Sequence, residues 1–145
     1  MTFGEALRAC FDRWATFSGR APRAEFWWFM LFQNLTAVTI LVVGALSLTP
    51  TLTIALLYIF FLATTIPSLA VSFRRLQDTG RSGWFSLTPI FGVTVQSFGE
   101  LIGDGMVVFA GSCMVIGITL ILIVWYASEG TRGPNAYGPD PYGRG

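Results

Sequence analysis

The sequence has no histidine and no lysine; its nine basic residues are all arginine. Without histidine it lacks the usual general base near neutral pH and the commonest neutral metal ligand. Charge of either sign is scarce, at 12% of residues. Soluble domains carry about 25%, so the polar surface here cannot cover a globule of this size. The net charge is +1 and no long basic face is present, so nucleic acid is not an expected partner. The two cysteines, Cys10 and Cys113, are far apart and form no CxxC pair. They point to neither a zinc site nor a disulfide framework and read as small apolar residues. GxSxG, HExxH, Walker A and GxGxxG patterns are absent. No catalytic residue, metal or cofactor is expected.

What the chain has instead is long uncharged runs. No Asp, Glu, Lys or Arg occurs over residues 26–73, 84–99 or 106–128. About 18 apolar residues suffice to cross a bilayer as a helix. Residues 26–73 are too long for one crossing, and Pro50 in "LSLTPTLT" cannot continue a helix interior. The expectation is an all-α integral membrane protein forming a single domain over 1–145. Its four transmembrane helices lie at 26–48, 52–73, 84–101 and 106–127, followed by a Gly/Pro-rich tail over 128–145. The third helix is short and contains Pro89 and Gly92, so a re-entrant or broken helix is an alternative there.

The arginines fall on one side of this pattern. Segment 1–25 holds Arg8, Arg13, Arg20 and Arg23; loop 74–83 holds Arg74, Arg75 and Arg81; the tail holds Arg132 and Arg144. The other two connections hold only Glu100 and Asp104. Cytoplasmic loops collect basic residues, so four crossings with both termini in the cytoplasm are expected. Three crossings would strand the tail arginines outside.

The first residues do not read as a signal peptide, because Glu5, Arg8, Asp12 and Arg13 interrupt any apolar core. Phe3, Leu7, Cys10, Phe11, Trp14 and Phe17 recur at helical spacing, and Thr2 with Glu5 fits a capping box. An amphipathic helix over 1–17 follows, lying in the membrane interface or packed on the bundle. Next, "SGRAPRAEFWWF" places Pro22 and Glu25 in the first turn of the first span and Trp27 and Trp28 in the interfacial aromatic belt. Inside the spans, Gln33, Asn34, Thr64, Thr65, Ser68 and Gln96 are candidates for bonds between helices. Pro67 is expected to kink the second span, with neighbouring hydroxyls helping to satisfy the freed carbonyl.

Three segments, "GRAPRAEFW", "FRRLQDTGRSGW" and "EGTRGPNAYGPDP", come in this order around the apolar helices. Together they resemble the domain of unknown function 805 family over roughly residues 10–142. The resemblance implies a small protein of the bacterial inner membrane and brings no established biochemical activity. The family pattern often has His where Gln77 stands, and the stretch near 100–127 looks enlarged relative to many members.

All three segments lie on the expected cytoplasmic face. Arginine grips carboxylate or phosphate bidentately, which lysine does not. Arg20, Arg23, Arg74, Arg75 and Arg81 therefore have two readings. One is a structural ion-pair lattice with Glu25, Asp78 and Asp140. The other is a rim that binds an anionic lipid headgroup or the acidic group of a partner, a membrane protein or a second copy. The functional expectation is a structural or interaction component. The alternatives are a small transporter or channel subunit, with a polar cavity between Gln33, Thr65 and Gln96, and a membrane enzyme acting on phosphorylated lipid.

Overall fold

A computed structural model describes residues 1–47 and 49–143. Leu48, the expected last residue of the first span, and Arg144, one of the two tail arginines, lie outside the described residues. The described chain is helical and contains no β-strand. Helix α1 is Phe3–Asp12, α2 Arg23–Ser47 and α3 Pro50–Asp78; a 3-10 turn at Gly83–Leu87 precedes α4 (Pro89–Ile102) and α5 (Gly105–Ala127). Three of these, α2, α3 and α5, are long and apolar enough to cross a membrane.

Helix α1 starts at a capping box. The Thr2 N–H donates to Glu5 Oε2 at 2.8 Å, and the Glu5 N–H donates to Thr2 Oγ1. The helix ends at Asp12, short of the expected residue 17. The chain turns there because the carbonyls of Arg13 and Thr16 point to the Arg74 guanidinium, at 3.0 and 3.2 Å. Ala6 and Cys10 are buried. Phe11 packs edge-on against Phe29 and Phe32, and Phe3 against Trp28. One face of the helix thus docks on α2, while Trp14 is exposed and Phe17 packs edge-on against Phe73.

Pro50 begins α3 at its first turn, with Thr49 capping Leu52, because a missing N–H is harmless at that position. Between α2 and α3, Gln33 Nε2 donates to Thr64 Oγ1 at 2.9 Å, and Ser68 Oγ donates to Gln33 Oε1 at 3.2 Å. Such bonds contribute about 0.6 kcal/mol each inside membranes. The hydroxyls of Thr64 and Thr65 bond the carbonyls of Phe60 and Phe61. They do not reach that of Ala63, which Pro67 leaves without its helical donor.

Helix α3 runs five residues beyond the expected end, so Arg74 and Arg75 belong to its last turns and not to a loop. Cations there complement the helix dipole, and both guanidinium groups find acceptors. The helix then stops in a Schellman motif. Gly80, at φ 78°, donates to Gln77 O, and the Arg81 N–H donates to Leu76 O, both at 3.0 Å.

The expected helix over 84–101 is divided. Pro89 cannot bond the Phe85 carbonyl, and its ring would strike it; the Thr88 hydroxyl and N–H take that carbonyl instead. Helix α4 begins at Pro89 and lies antiparallel on α5: Phe85 meets Trp125, Gly92 meets Val115, and Gly99 meets Val108. The glycines set this contact. A Cβ on Gly92 would lie 2.8 Å from the Val115 nitrogen, and one on Gly99 2.6 Å from the Val108 nitrogen. Gly111 likewise touches the Gln96 backbone. Close backbone approach of this kind is how helices associate where lipid removes the hydrophobic driving force.

Candidate functional site: a buried arginine clasp

Two carboxylates form the nodes of the site. Glu25 stands in the first turn of α2, completely buried. Its Oε2 accepts from Arg13 Nη2 at 2.8 Å, and its Oε1 from Arg74 Nη2 at 2.6 Å. Asp78, the last residue of α3, is equally buried; its Oδ1 accepts from Arg20 Nε at 2.8 Å and its Oδ2 from Arg75 Nη1. Each carboxylate oxygen thus holds a different guanidinium, and each node carries one positive charge in excess.

Main-chain carbonyls offset that excess. Arg20 donates to the carbonyls of Gly133 (2.6 Å) and Thr131 in the tail, and its Nη2 lies 4.0 Å from Asp140. Arg75 donates to Tyr126 O at 2.9 Å and to Ser128 O, at the end of α5. The tail is tied further: the Thr131 N–H donates to Asp78 O at 2.9 Å, and Asn135 Nδ2 to Gln77 O at 3.0 Å. The Ala21 N–H donates to Arg74 O. Gly130 has no room for a side chain, since a Cβ would lie 2.7 Å from Asp78 Cγ. The clasp therefore joins the start of α2, the end of α3, the end of α5 and the tail.

Of the sequence candidates, Arg20, Arg74, Arg75, Glu25 and Asp78 meet in this clasp, with Asp140 at its edge. Arg23 is at the surface and donates from Nε to Ser128 O at 3.0 Å. Arg81 stands apart: its guanidinium lies 4.8 Å from the centre of the Trp125 ring. Among the described residues it forms no ion pair and donates no hydrogen bond from its side chain. Gln33, Thr65 and Gln96 are not brought together; Thr65 bonds Phe61 O, and Gln96 bonds Glu100 on its own helix.

Sequence reasoning missed Arg13, which looked like a topology signal but shares Glu25 with Arg74. It also missed Gly130 and the tail carbonyls. The choice of Arg over Lys throughout was the available signal for Arg13; a main-chain acceptor leaves no residue signature. Cys10 Sγ sits 3.9 Å from Glu25 Oε1. Burial, with the Glu25 charge adding to it, pushes the thiol up to about 12. Among the described residues no group of His, Cys, Asp and Glu could hold a metal ion. Two buried polar atoms lack a partner among the described residues, Arg74 Nε and Gln77 Oε1.

These features define a small helical integral membrane protein whose helix ends are tied at one face by buried arginine–carboxylate nodes. The chain belongs to the family described as Protein of unknown function (DUF805), whose pattern matches residues 14–139. It is similar to inner membrane protein YhaI of Escherichia coli K12, 36% identical over 125 residues, covering 86% of this chain and 85% of that one. Inner membrane protein YhaH of the same organism is 33% identical over 130 residues, covering 86% of each chain. No solved structure matches the chain. Like these relatives, the chain is an inner-membrane protein, and its three membrane-capable helices make it multi-pass.

Proposed function

We propose that this protein is a non-enzymatic structural or interaction component of the inner membrane. In this reading it crosses four times with both termini in the cytoplasm and offers its unclasped arginines to an anionic lipid headgroup or a partner protein. The observation that carries this reading is the double engagement of Glu25 and Asp78. With every oxygen of both carboxylates holding a guanidinium, the clasp has the character of a fastening and keeps no free acid or base for catalysis. The contacts of 85 with 125, 92 with 115 and 99 with 108 favour a fourth crossing, because they carry residues 83–102 along the depth that α5 covers. The shared end of α2, α3 and α5 collects most of the arginines, which favours the cytoplasm for that end.

Two measurements test the reading. A reporter fused after residue 145 should be cytoplasmic and one inserted at Gly103 periplasmic; a periplasmic C-terminus removes the four-crossing topology. Phosphatidylglycerol should raise the melting temperature of the detergent-purified protein more than phosphatidylcholine does, and moderate salt should reduce the difference. Equal stabilisation by the two lipids removes the anion-binding rim.

A further inference from the structure

The clasp uses up most of the arginines at the cytoplasmic end, but not all. Arg20 and Arg75 each donate from all three guanidinium nitrogens, Arg74 and Arg13 from two, and Arg23 from one. Among the described residues the Arg81 side chain donates no hydrogen bond; it rests against Trp125 through a cation–π contact. That contact draws on the guanidinium charge and leaves its N–H donors available. Trp125 is also one wall of an apolar groove of about 300 Å³, completed by Leu120, Ile121 and Val124. This groove descends roughly 8 Å along α5 from Trp125 toward the bilayer centre. Trp125 thus links a cation with unused donors to an apolar groove on a membrane-capable helix.

We infer that Arg81, Trp125 and this groove form a binding site for an anionic phospholipid. The phosphate sits on Arg81 and one acyl chain lies along Leu120, Ile121 and Val124. Three points favour such a lipid as occupant. Arg81 is a half-buried cation with no carboxylate partner among the described residues, and arginine takes phosphate through paired N–H bonds. The groove opens from a helix apolar enough to cross the bilayer, so acyl chains are the medium around it. The Schellman turn also fixes the Arg81 backbone directly, through its N–H to Leu76 O, so the side chain is presented from a rigid helix end. The inference rests on the anion-binding reading of the rim and assigns that role to Arg81 rather than to Arg23.

The test is lipid retention measured by native mass spectrometry, with melting temperature in parallel, for the full chain in mild detergent. Phosphatidylglycerol, phosphatidylcholine and inorganic phosphate are each added. Arg81→Ala should lower phosphatidylglycerol occupancy about ten- to hundredfold, the range for a lost charge-assisted bond. Its lipid-free melting temperature should fall only slightly, because the weak cation–π contact with Trp125 is removed and no hydrogen bond among the described residues is. Arg81→Lys should keep part of the affinity. Val124→Trp, which fills the groove and leaves Arg81 in place, should also displace the lipid, whereas Arg23→Ala should not. If wild type prefers phosphatidylglycerol and the preference persists in Arg81→Ala but is lost in Arg23→Ala, this assignment is overturned while the rim reading survives. If wild type shows no preference, both fall. If inorganic phosphate stabilises as strongly as the lipid, or Val124→Trp binds as wild type does, the lipid assignment is overturned.

Discussion

Replacing Asp78 by Asn keeps the shape of the second node and removes its charge. In the native clasp, Asp78, Arg75 and Arg20 all have almost fully buried side chains. The amide retains one acceptor oxygen, for one arginine, and turns an N–H toward the other. Two guanidinium groups then face each other with only the longer Arg20–Asp140 contact, at 4.0 Å, as counter-charge among the described residues. Removing one partner from a buried ion pair costs about 3–5 kcal/mol, so the tail should open on the order of 10²- to 10⁴-fold more often. The helices should stay inserted, because their apolar lengths are untouched. The assay is limited trypsinolysis at Arg132 in detergent. The carbonyls on either side of that residue, of Thr131 and Gly133, both accept from Arg20. The bond cannot enter a protease in extended form until the clasp opens. At limiting trypsin the cleavage rate follows the open population. Glu129→Gln, at an exposed pair with Arg132, is the control and should change the rate by less than about 1 kcal/mol equivalent. Cleavage of Asp78→Asn at the wild-type rate would refute the claim that this carboxylate holds the tail.

Gly111→Val puts a side chain onto the Gln96 backbone and should destabilise the α4–α5 contact by about 1–3 kcal/mol. Gly117→Val, where a Cβ meets nothing within 4 Å, should change the melting temperature little. On a Cys113→Ser background, Cys10 should resist maleimide at pH 7–8 in the native protein and label readily in Glu25→Gln, read as an adduct mass. Because burial raises the Cys10 thiol from its ordinary value of 9.0 to about 12, the neutral thiol contributes stability fully below pH 9, and that contribution is lost as pH rises through about 12.

The membrane character was legible because it depends on composition alone: uncharged runs of 26–73 and 106–128 read the same in any fold. The Thr2–Glu5 cap was legible because both partners lie within one helical turn. The course of α3 through Arg75 was not, since what steadies those arginines comes from Ala21, Glu25, Tyr126 and Ser128, distant in sequence. A charged pair at the end of an apolar run looks like a loop until its acceptors are known. Gly92 and Pro89 illustrate the same limit in the other direction. Both looked like interruptions, yet only Pro89 breaks the helix, while Gly92 is one of the positions where α4 packs closely on α5. The arginine-rich segments were correctly grouped on one face, but nothing in their order revealed that Arg13 and Arg74 share one carboxylate.

The tie between Asp78 and Thr131 spans 53 positions of the chain. At synthesis rates of 5–20 residues per second, roughly 3–10 s separate the two residues at the ribosome. During that interval Asp78 has Arg75 and Arg20 already made and the tail carbonyls not yet made, while the polypeptide for α4 and α5 is still emerging. The clasp therefore closes last, after every membrane segment has left the ribosome. A chain truncated before Thr131 keeps the apolar lengths of all its helices and still lacks the fastening of its tail.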